Sequence, residues 1–482
     1  MRPPVGAGYA SAHGIPPMED NLGRYCENDM TRYLSTAAAA LVLAGFMIDL
    51  AGGRWGAYIG TPISGLYLAD ALWISGAALA LLSTRKILQY GRLVILGASV
   101  SLLYAVIAFL FYATDADSVT SLLLRDVSTF GYLGLVPLTA LALSRLRVLE
   151  FIWIVRIATG SQLLLFLATR IWAIPDAVSG FLGGPTLQAM AFPGRSDILG
   201  LTMAIGVLSW GSFPRTTPAV IPLQLAMTLV GFSQPSRAGI LAVLLALMWV
   251  IIATVRQKQR RRAVFLAALF LGTSLSWSII VAQFPTQTVG VLSSANQQAD
   301  KAGSEGDAVT VTRFNSPAVA VPMRGTEGAR IDTYRDVIEY VHENNLHLIG
   351  DALGQPDTLL RACGFSLEQY RSQVQGKCDI DYGGDELPLR DPHNWILNLV
   401  LYHGVLGLLL FIGALSTYWW RARRSQAPLA ITGTPTVLYL SVGMLGVVIS
   451  SPFGMLPMAT FTAFALAKSK GNALKEGTNR LA

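Results

Sequence analysis

Along most of this chain, apolar stretches of about twenty residues alternate with short polar connections. As a helix rising about 1.5 Å per residue, each is long enough to cross a hydrocarbon core roughly 30 Å thick. The pattern predicts about twelve membrane-spanning helices, near 33–51, 63–83, 93–113, 122–144, 150–169, 197–213, 218–233, 238–254, 263–282, 395–418, 435–450 and 452–467, of which the last two also read as one re-entrant hairpin. The alternation is broken once. Residues 284–394 are polar, and an insertion of this size needs a reason when the other connections are short. Its first part, 293–326, is rich in Ser, Gly, Ala and Asp and predicts a mobile segment. From Arg330 the pattern changes. Ile331, Tyr334, Ile338 and Val341 recur at helical spacing, with Asp332, Arg335, Asp336 and Glu339 on other faces, so 331–343 predicts an amphipathic helix. A turn bounded by Gly350 and Gly354 follows, then a second short helix around 366–373, a layout suited to a cap over the outer ends of the spans. The chain therefore divides into an N-terminal tail (1–32), a membrane region of about nine helices (33–283), the large loop (284–394), a membrane region of about three helices (395–468) and a C-terminal tail (469–482).

Composition agrees with that class. Of 482 residues, 52% are hydrophobic and 13% charged, against about 25% charged in soluble domains, which excludes an ordinary soluble globular chain. The net charge of +7 is not spread out but gathered in short connections: Arg256, Lys258, Arg260, Arg261 and Arg262 in one, Arg421, Arg423 and Arg424 in another. Further positives stand at Arg85, Lys86, Arg92, Arg145, Arg147, Lys468, Lys470 and Lys475. With twelve spans all of these fall on one side, which the positive-inside rule makes cytoplasmic. Both termini are then inside and the large loop outside, and the positive charge reads as a topology signal, with no nucleic-acid partner implied. The first thirty or so residues are polar and carry Pro3, Pro4, Pro16 and Pro17, which predicts a disordered cytoplasmic lead-in with no cleavable signal peptide. The two halves of the membrane region share no repeat, which weighs against a transporter built from matched halves. Cys363 and Cys378 both fall in the external loop, where an oxidising compartment allows a disulfide, while Cys26 is expected to stay a free thiol. Two cysteines without ordered histidine partners do not match zinc spacing, so no metal site is expected.

Candidate chemistry lies where charge meets the bilayer, because a charge there is costly without a partner. Arg237 stands in Pro235-Ser236-Arg237-Ala238-Gly239, at the outer start of a span. Its small neighbours permit close approach, and the helix N-terminus adds partial positive charge suited to a phosphate. Arg195 precedes the span beginning near 197, and Arg170 ends another, whereas Arg156 lies within an apolar run and must find a carboxylate, a carbonyl or water. Headgroup contact is the plainer role for those near helix ends. Among the histidines, His342 and His347 follow the amphipathic helix and are expected to face solvent, and His403, inside a span, is expected to be structural. His393 is the best placed, since it ends the insertion, Pro392 fixes its approach and Asp391 is able to orient its ring. Its ordinary pKa near 6.5 suits proton abstraction at neutral pH. The plainer reading of Asp391, Pro392, His393 and Asn394 is a helix-capping segment.

Taken in order, three features resemble the O-antigen ligase and polymerase superfamily: Ser236-Arg237-Ala238-Gly239 opening a span, the Arg330-led helix followed by Gly350 and Gly354, and His393-Asn394 leading into a span with Gly404 and Gly407. The resemblance covers 195–411. It departs at Ser196-Asp197-Ile198-Leu199, where relatives often carry an Asn-rich turn, and in the sparse glycine content of 350–354. It implies an all-α, GT-C-like integral membrane protein of a bacterial inner membrane with a large periplasmic loop. It also implies a metal-independent transfer, without cofactor, of a glycan from undecaprenyl diphosphate to a sugar hydroxyl on an acceptor glycolipid or glycan. By position, Arg237 and Arg195 would bind the diphosphate and His393 would be the base, with Arg170, Arg330 and Asp391 in support. Breaking an anomeric C–O bond to a diphosphate requires charge stabilisation on the leaving group, which arginine forks supply best in a water-poor cavity. A single displacement with a base on the opposite face inverts the anomeric centre. Within the superfamily, ligation, polymerisation and protein O-glycosylation differ in acceptor and not in obvious residues. A lipid or polysaccharide transporter is the alternative of another class.

The charge pattern makes a topology prediction. Reporter fusions near Gly303 are expected to report the periplasm and fusions near Gln257 the cytoplasm; a cytoplasmic signal at Gly303 would overturn the arrangement.

Overall fold

The computed structural model describes residues 19–469, apart from 58, 62–65, 84, 116–118, 172–195, 212–219, 233–235, 257, 259, 284–324, 352, 356–357, 364–391, 393, 424, 426 and 446–451. Nearly everything described is helical: α1 (Glu19–Ala57), α2 (Leu68–Ser83), α3 (Arg92–Tyr112), α4 (Thr120–Ala142), α5 (Val148–Ile171), α6 (Ser196–Gly211) and α7 (Val220–Phe232). There follow α8 (Arg237–Arg256), α9 (Arg260–Gln283), α10 (Gly325–Glu343), α11 (Thr358–Ala362), α12 (Trp395–Ala422), α13 (Leu429–Gly443) and α14 (Pro452–Ala467). Among the described residues, six helical stretches are long and apolar enough to cross a membrane: Arg32–Gly53, Arg92–Tyr112, Thr120–Arg145, Val148–Leu167, Arg237–Arg256 and Trp395–Ala422. Shorter apolar helices, among them Leu68–Leu82, Asp197–Gly211, Val220–Phe232 and Gly454–Ala467, pack between them. Helix is the form these sequences take because lipid offers no partner to a backbone N–H or C=O, so every bond must close within the segment.

The outward faces match that environment. Leu93, Leu96, Leu103, Ile107, Leu110 and Phe111 line one side of α3 in the open, and Leu149, Trp153, Ile157 and Leu164 do the same on α5. Apolar surface on this scale would be an aggregation hazard in water and is ordinary against acyl chains. Inside, packing replaces the hydrophobic effect as the cohesive force, so small residues matter. Gly200 of α6 meets the backbone of Gly239 of α8 so closely that a Cβ would collide with it. Interhelical bonds add about 0.6 kcal/mol each on average. Trp73 Nε1 donates to Thr460 Oγ1 at 2.9 Å, and Tyr418 Oη to the Leu133 carbonyl at 2.7 Å.

The two ends of the bundle differ. At one end Arg421 donates to the Gln89 carbonyl (3.2 Å), Lys468 to the Ser144 carbonyl (2.9 Å), and Ser425 pairs with Ser469. The tertiary structure thus collects basic connections from four parts of the chain at one end. At the other end Val119 N–H donates to the Gly354 carbonyl (3.0 Å), joining the α3–α4 connection to the insertion. Chain direction then assigns further helix starts to this second end. Arg156, early in α5, donates to the Ser209 carbonyl near the end of α6 at 3.1 Å, so these helices are antiparallel, and α8 runs parallel to α6 through Gly200 and Gly239.

Several elements differ from the sequence expectation. Helix α1 begins at Glu19, inside the stretch expected to be disordered, because no proline lies between Pro17 and Pro62 and acidic residues sit at its start. Helix α13 spans Leu429–Gly443 and not 435–450: Pro435 lies inside it, and Thr432 satisfies its hydroxyl on the Pro428 carbonyl, so a Thr- and Pro-rich stretch that looks like a connection is helical. Among the described side chains of α10, Val337 and Val341 are buried, while Ile338, expected on the inner face, is exposed. The second loop helix expected at 366–373 lies outside the described residues, and α11 precedes that region.

Helix α12 is broken at Gly404, where φ is 64° and ψ −175°. A Cβ there would run into the backbone of Leu348 and Ile349. Gly404→Ala is expected to destabilise the protein by about 1–3 kcal/mol, from a left-handed conformation in a crowded space. This would be read as a lower unfolding temperature of the detergent-purified protein, and an unchanged temperature would count against the break.

Candidate functional site

The insertion and the broken span form one construction. The residues around Gly404 lose their regular helical bonds, and the turn after α10 supplies replacements. Val405 N–H donates to the His347 carbonyl (2.7 Å), Leu406 N–H to the Leu348 carbonyl (3.2 Å), and Asp351 N–H to the Leu401 carbonyl (2.7 Å). The turn therefore bonds to α12 on both sides of the break. Gly350, at φ 81°, is pressed against the backbone of Tyr402 to Gly404 and has no room for a Cβ. Residues that pack around helix breaks in membranes must satisfy such freed groups, and here a loop does so with its own backbone.

Next to the break sits His403, 2% exposed, as the sequence reading expected of a structural histidine. Its Nδ1 lies 3.0 Å from Tyr104 Oη, its ring meets Phe130 edge to face at 4.9 Å, and it hydrogen-bonds the backbone of Asp126. Asp126 in turn accepts from the Gly354 N–H at 2.9 Å. Gln355 donates to Asp115 at 3.3 Å, Arg361 donates to Gln355, and Arg361 lies 3.4 Å from Asp351, which also accepts from Tyr340 Oη at 2.8 Å. This network ties α10, the following turn and α11 to the end of α3 and the start of α4. Each charged hydrogen bond of this kind contributes about 1.5–3 kcal/mol. Cys363 closes α11 as a free thiol among the described residues; burial and then the charge of Asp336 push its pKa up to about 12. Its expected partner Cys378 lies outside the described residues.

The residues expected to carry chemistry are distributed as follows. Arg237 is exposed at the start of α8, where Ser236 Oγ accepts from the Gly239 N–H at 3.3 Å. The Gly200–Gly239 contact puts the start of α6, with the buried Asp197, beside it. Two parallel helix starts, a guanidinium and a carboxylate thus share one corner. Arg195, Asp391 and His393 lie outside the described residues; Arg170 and Arg330 are in α5 and α10, with side chains outside the described set. On either side of His393, Pro392 is buried and Asn394 caps α12, its Oδ1 accepting from Ile396 N–H (3.0 Å) and Leu397 N–H (3.3 Å). The capping role expected of this segment is therefore filled by Asn394. Arg156 finds its partner in the Ser209 carbonyl and in the rings of Trp153 and Trp210, 5.1 and 4.6 Å from its guanidinium carbon. His342 and His347 are exposed as expected, with Nδ1 and Nε2 3.3 Å apart.

Asp115, Asp126, Asp351 and Arg361 were not singled out from sequence. The available signal was Asp126, an ionisable residue in the first turns of an apolar span. No protein-family model matches the sequence, and no curated protein matches it either.

Asp126→Ala removes the acceptor that holds the Gly354 amide. Faster hydrogen exchange across 346–363, with α6 and α8 unchanged, is the expected outcome by mass spectrometry, and unaltered protection of 346–363 would refute the anchoring role.

Proposed function

We propose that this chain is a glycosyltransferase of the O-antigen ligase type, with about twelve spans in a bacterial inner membrane and its active site facing the periplasm. It would transfer a glycan from undecaprenyl diphosphate to a sugar hydroxyl of an acceptor glycolipid or glycan. The observation that carries the reading is the seating of the insertion's turn in the broken span α12 (Trp395–Ala422). It supports an active site at this end of the bundle because the helix that follows His393 is fixed there by the insertion itself, and chain direction puts the start of α8, with Arg237, at the same end. The basic connections gathered at the opposite end agree with a periplasmic orientation.

In this reading Arg237, with Arg195 before the neighbouring helix start, grips the diphosphate and stabilises the negative charge that grows on it as the anomeric C–O bond breaks. His393 takes the proton of the attacking hydroxyl on the opposite face, and the product is inverted. The network of Asp126, Asp351 and Arg361 holds the insertion in place and does not touch the reacting atoms. Polymerisation and protein O-glycosylation use the same groups with another acceptor. One observation favours a second reading, a transporter of the lipid-linked glycan. The apolar helices α1 and α12 are both interrupted, at Gly53 and Gly404, and interrupted spans are frequent in carriers.

The test uses purified protein, an undecaprenyl-diphosphate-linked glycan and an acceptor. Arg237→Ala is expected to weaken donor binding and slow transfer, and Arg237→Lys to rescue only partly, since an ammonium cannot reproduce a bidentate fork. His393→Ala should leave donor binding intact and cost about 10²–10⁴-fold in turnover. Near-normal turnover in His393→Ala would sink the base assignment. Movement of the lipid-linked glycan across vesicles without a new glycosidic bond would favour the transporter.

A further inference from the structure

Helices α1 and α2 carry two carboxylates that the reading above does not use. Asp49 lies one turn before the interruption of α1 at Gly53 (φ 54°), and Asp70 in the first turn of α2. The helices touch along this seam: a Cβ on Gly45, one turn before Asp49, would collide with the carbonyl of Ala69, the residue before Asp70. Both carboxylates are buried, at 2% and 5% exposure, and close enough for their charges to act on each other.

Their surroundings are unequal. Asp70 accepts from the Tyr132 phenol of α4 and from the Tyr67 amide at 3.4 Å. Neither oxygen of Asp49 has a hydrogen-bond donor among the described residues. A second buried oxygen group is in the same condition. Gln162 of α5, 1% exposed, leaves Oε1 without a partner, and its amide nitrogen fills the space beside Gly53 where a Cβ would stand. Among the described residues no cation bonds to Asp49, and the side chains of Arg54 in α1 and Arg170 in α5 lie outside the described set. Tyr132 of α4 and Tyr439 of α13 are the groups within electrostatic reach of Asp49 besides Asp70. Helix α14 has no charged residue, α6 has Asp197 alone, and Arg156 of α5 is engaged by the Ser209 carbonyl and two tryptophan rings. On α4, Asp126 is occupied at its start by the Gly354 amide.

A bare carboxylate sealed from water, beside a second carboxylate held by two donors, does not persist as an anion pair in a membrane protein; such groups mark ion or proton sites. Interrupted helices are where carriers and channels place them, because the interruption frees backbone oxygens. We propose that the Asp49–Asp70 seam is an intramembrane site for one monovalent cation, a proton or a sodium ion. Asp49 is its primary ligand, Asp70 the second carboxylate, and Gln162 Oε1 the neutral oxygen at the Gly53 end. The inference stands on α1, α2, α4 and α5 and does not depend on the transferase reading.

The test uses the full-length protein in lipid nanodiscs. Its unfolding temperature is measured against sodium chloride, with choline chloride holding ionic strength constant, and infrared difference spectra are taken for wild type against Asp49→Asn across pH. A sodium-dependent rise in unfolding temperature that Asp49→Asn abolishes identifies sodium. A protonated-carboxyl stretch present in wild type at neutral pH and missing from Asp49→Asn identifies the proton. Should Asp49→Asn fail to fold, Tyr132→Phe, which takes one donor from Asp70, is expected to shift the sodium midpoint about tenfold or the band's pH midpoint by about one unit, a change of the size one such hydrogen bond produces. A wild-type protein with neither sodium dependence nor a protonated carboxyl at neutral pH overturns the proposal, as does a Tyr132→Phe response identical to wild type.

Discussion

The constraint on which the rest of this structure depends is that lipid leaves no backbone polar group unsatisfied. Most of the chain meets it by closing bonds within helices, which is why the described residues are nearly all helical. Helix α12 does not, because Gly404 takes a left-handed conformation inside it. The amides of Val405 and Leu406 and the carbonyl of Leu401 then need partners, and His347, Leu348 and Asp351 provide them. The turn after α10 is therefore part of the same fold as the broken helix. Its turn comes so close to the broken helix that neither Gly350 nor Gly404 has space for a side chain.

Side chains extend this backbone joint. His403, Tyr104 and Phe130 fill the space beside the break with one hydrogen bond and three ring contacts. Asp126 and Asp351 carry the connection outward to Gly354, Tyr340 and Arg361. Each of these bonds is modest alone, yet together they replace loop freedom by a fixed position at the end of the bundle. For a transferase that must exclude water from a diphosphate leaving group, a fixed cap of this kind has a clear use. At the same end of the bundle, the starts of α6 and α8 lie against each other through Gly200 and Gly239, with Asp197 and Arg237 beside the contact.

The buried charges divide by partner. Arg156 lies in an apolar run without harm because a carbonyl and two tryptophan faces receive it. Asp70 is received by Tyr132 and Tyr67. Asp49 is received by neither side chain nor backbone among the described residues. That difference, which only the three-dimensional arrangement shows, underlies the proposed cation site.

The sequence by itself determined the class, an all-α membrane protein, because twenty-residue apolar runs are a local signal that lipid enforces directly. It also marked a helix start beside Arg237 and the capping segment that ends in Asn394, since both follow from short motifs. It misjudged α13, where threonines and Pro435 look like a connection but satisfy themselves inside a helix, and the inner face of α10, where Val337 is buried in place of Ile338. Only the tertiary structure decided that Gly404 breaks its span, that the turn after α10 fills the break, and that Asp126 reaches Gly354 from a helix more than two hundred positions earlier in the chain. Nothing local marks those pairings. A glycine in an apolar run reads as helix, and an aspartate reads as a cost, until the partner that occupies the space or donates the hydrogen bond is brought in from a distant part of the chain.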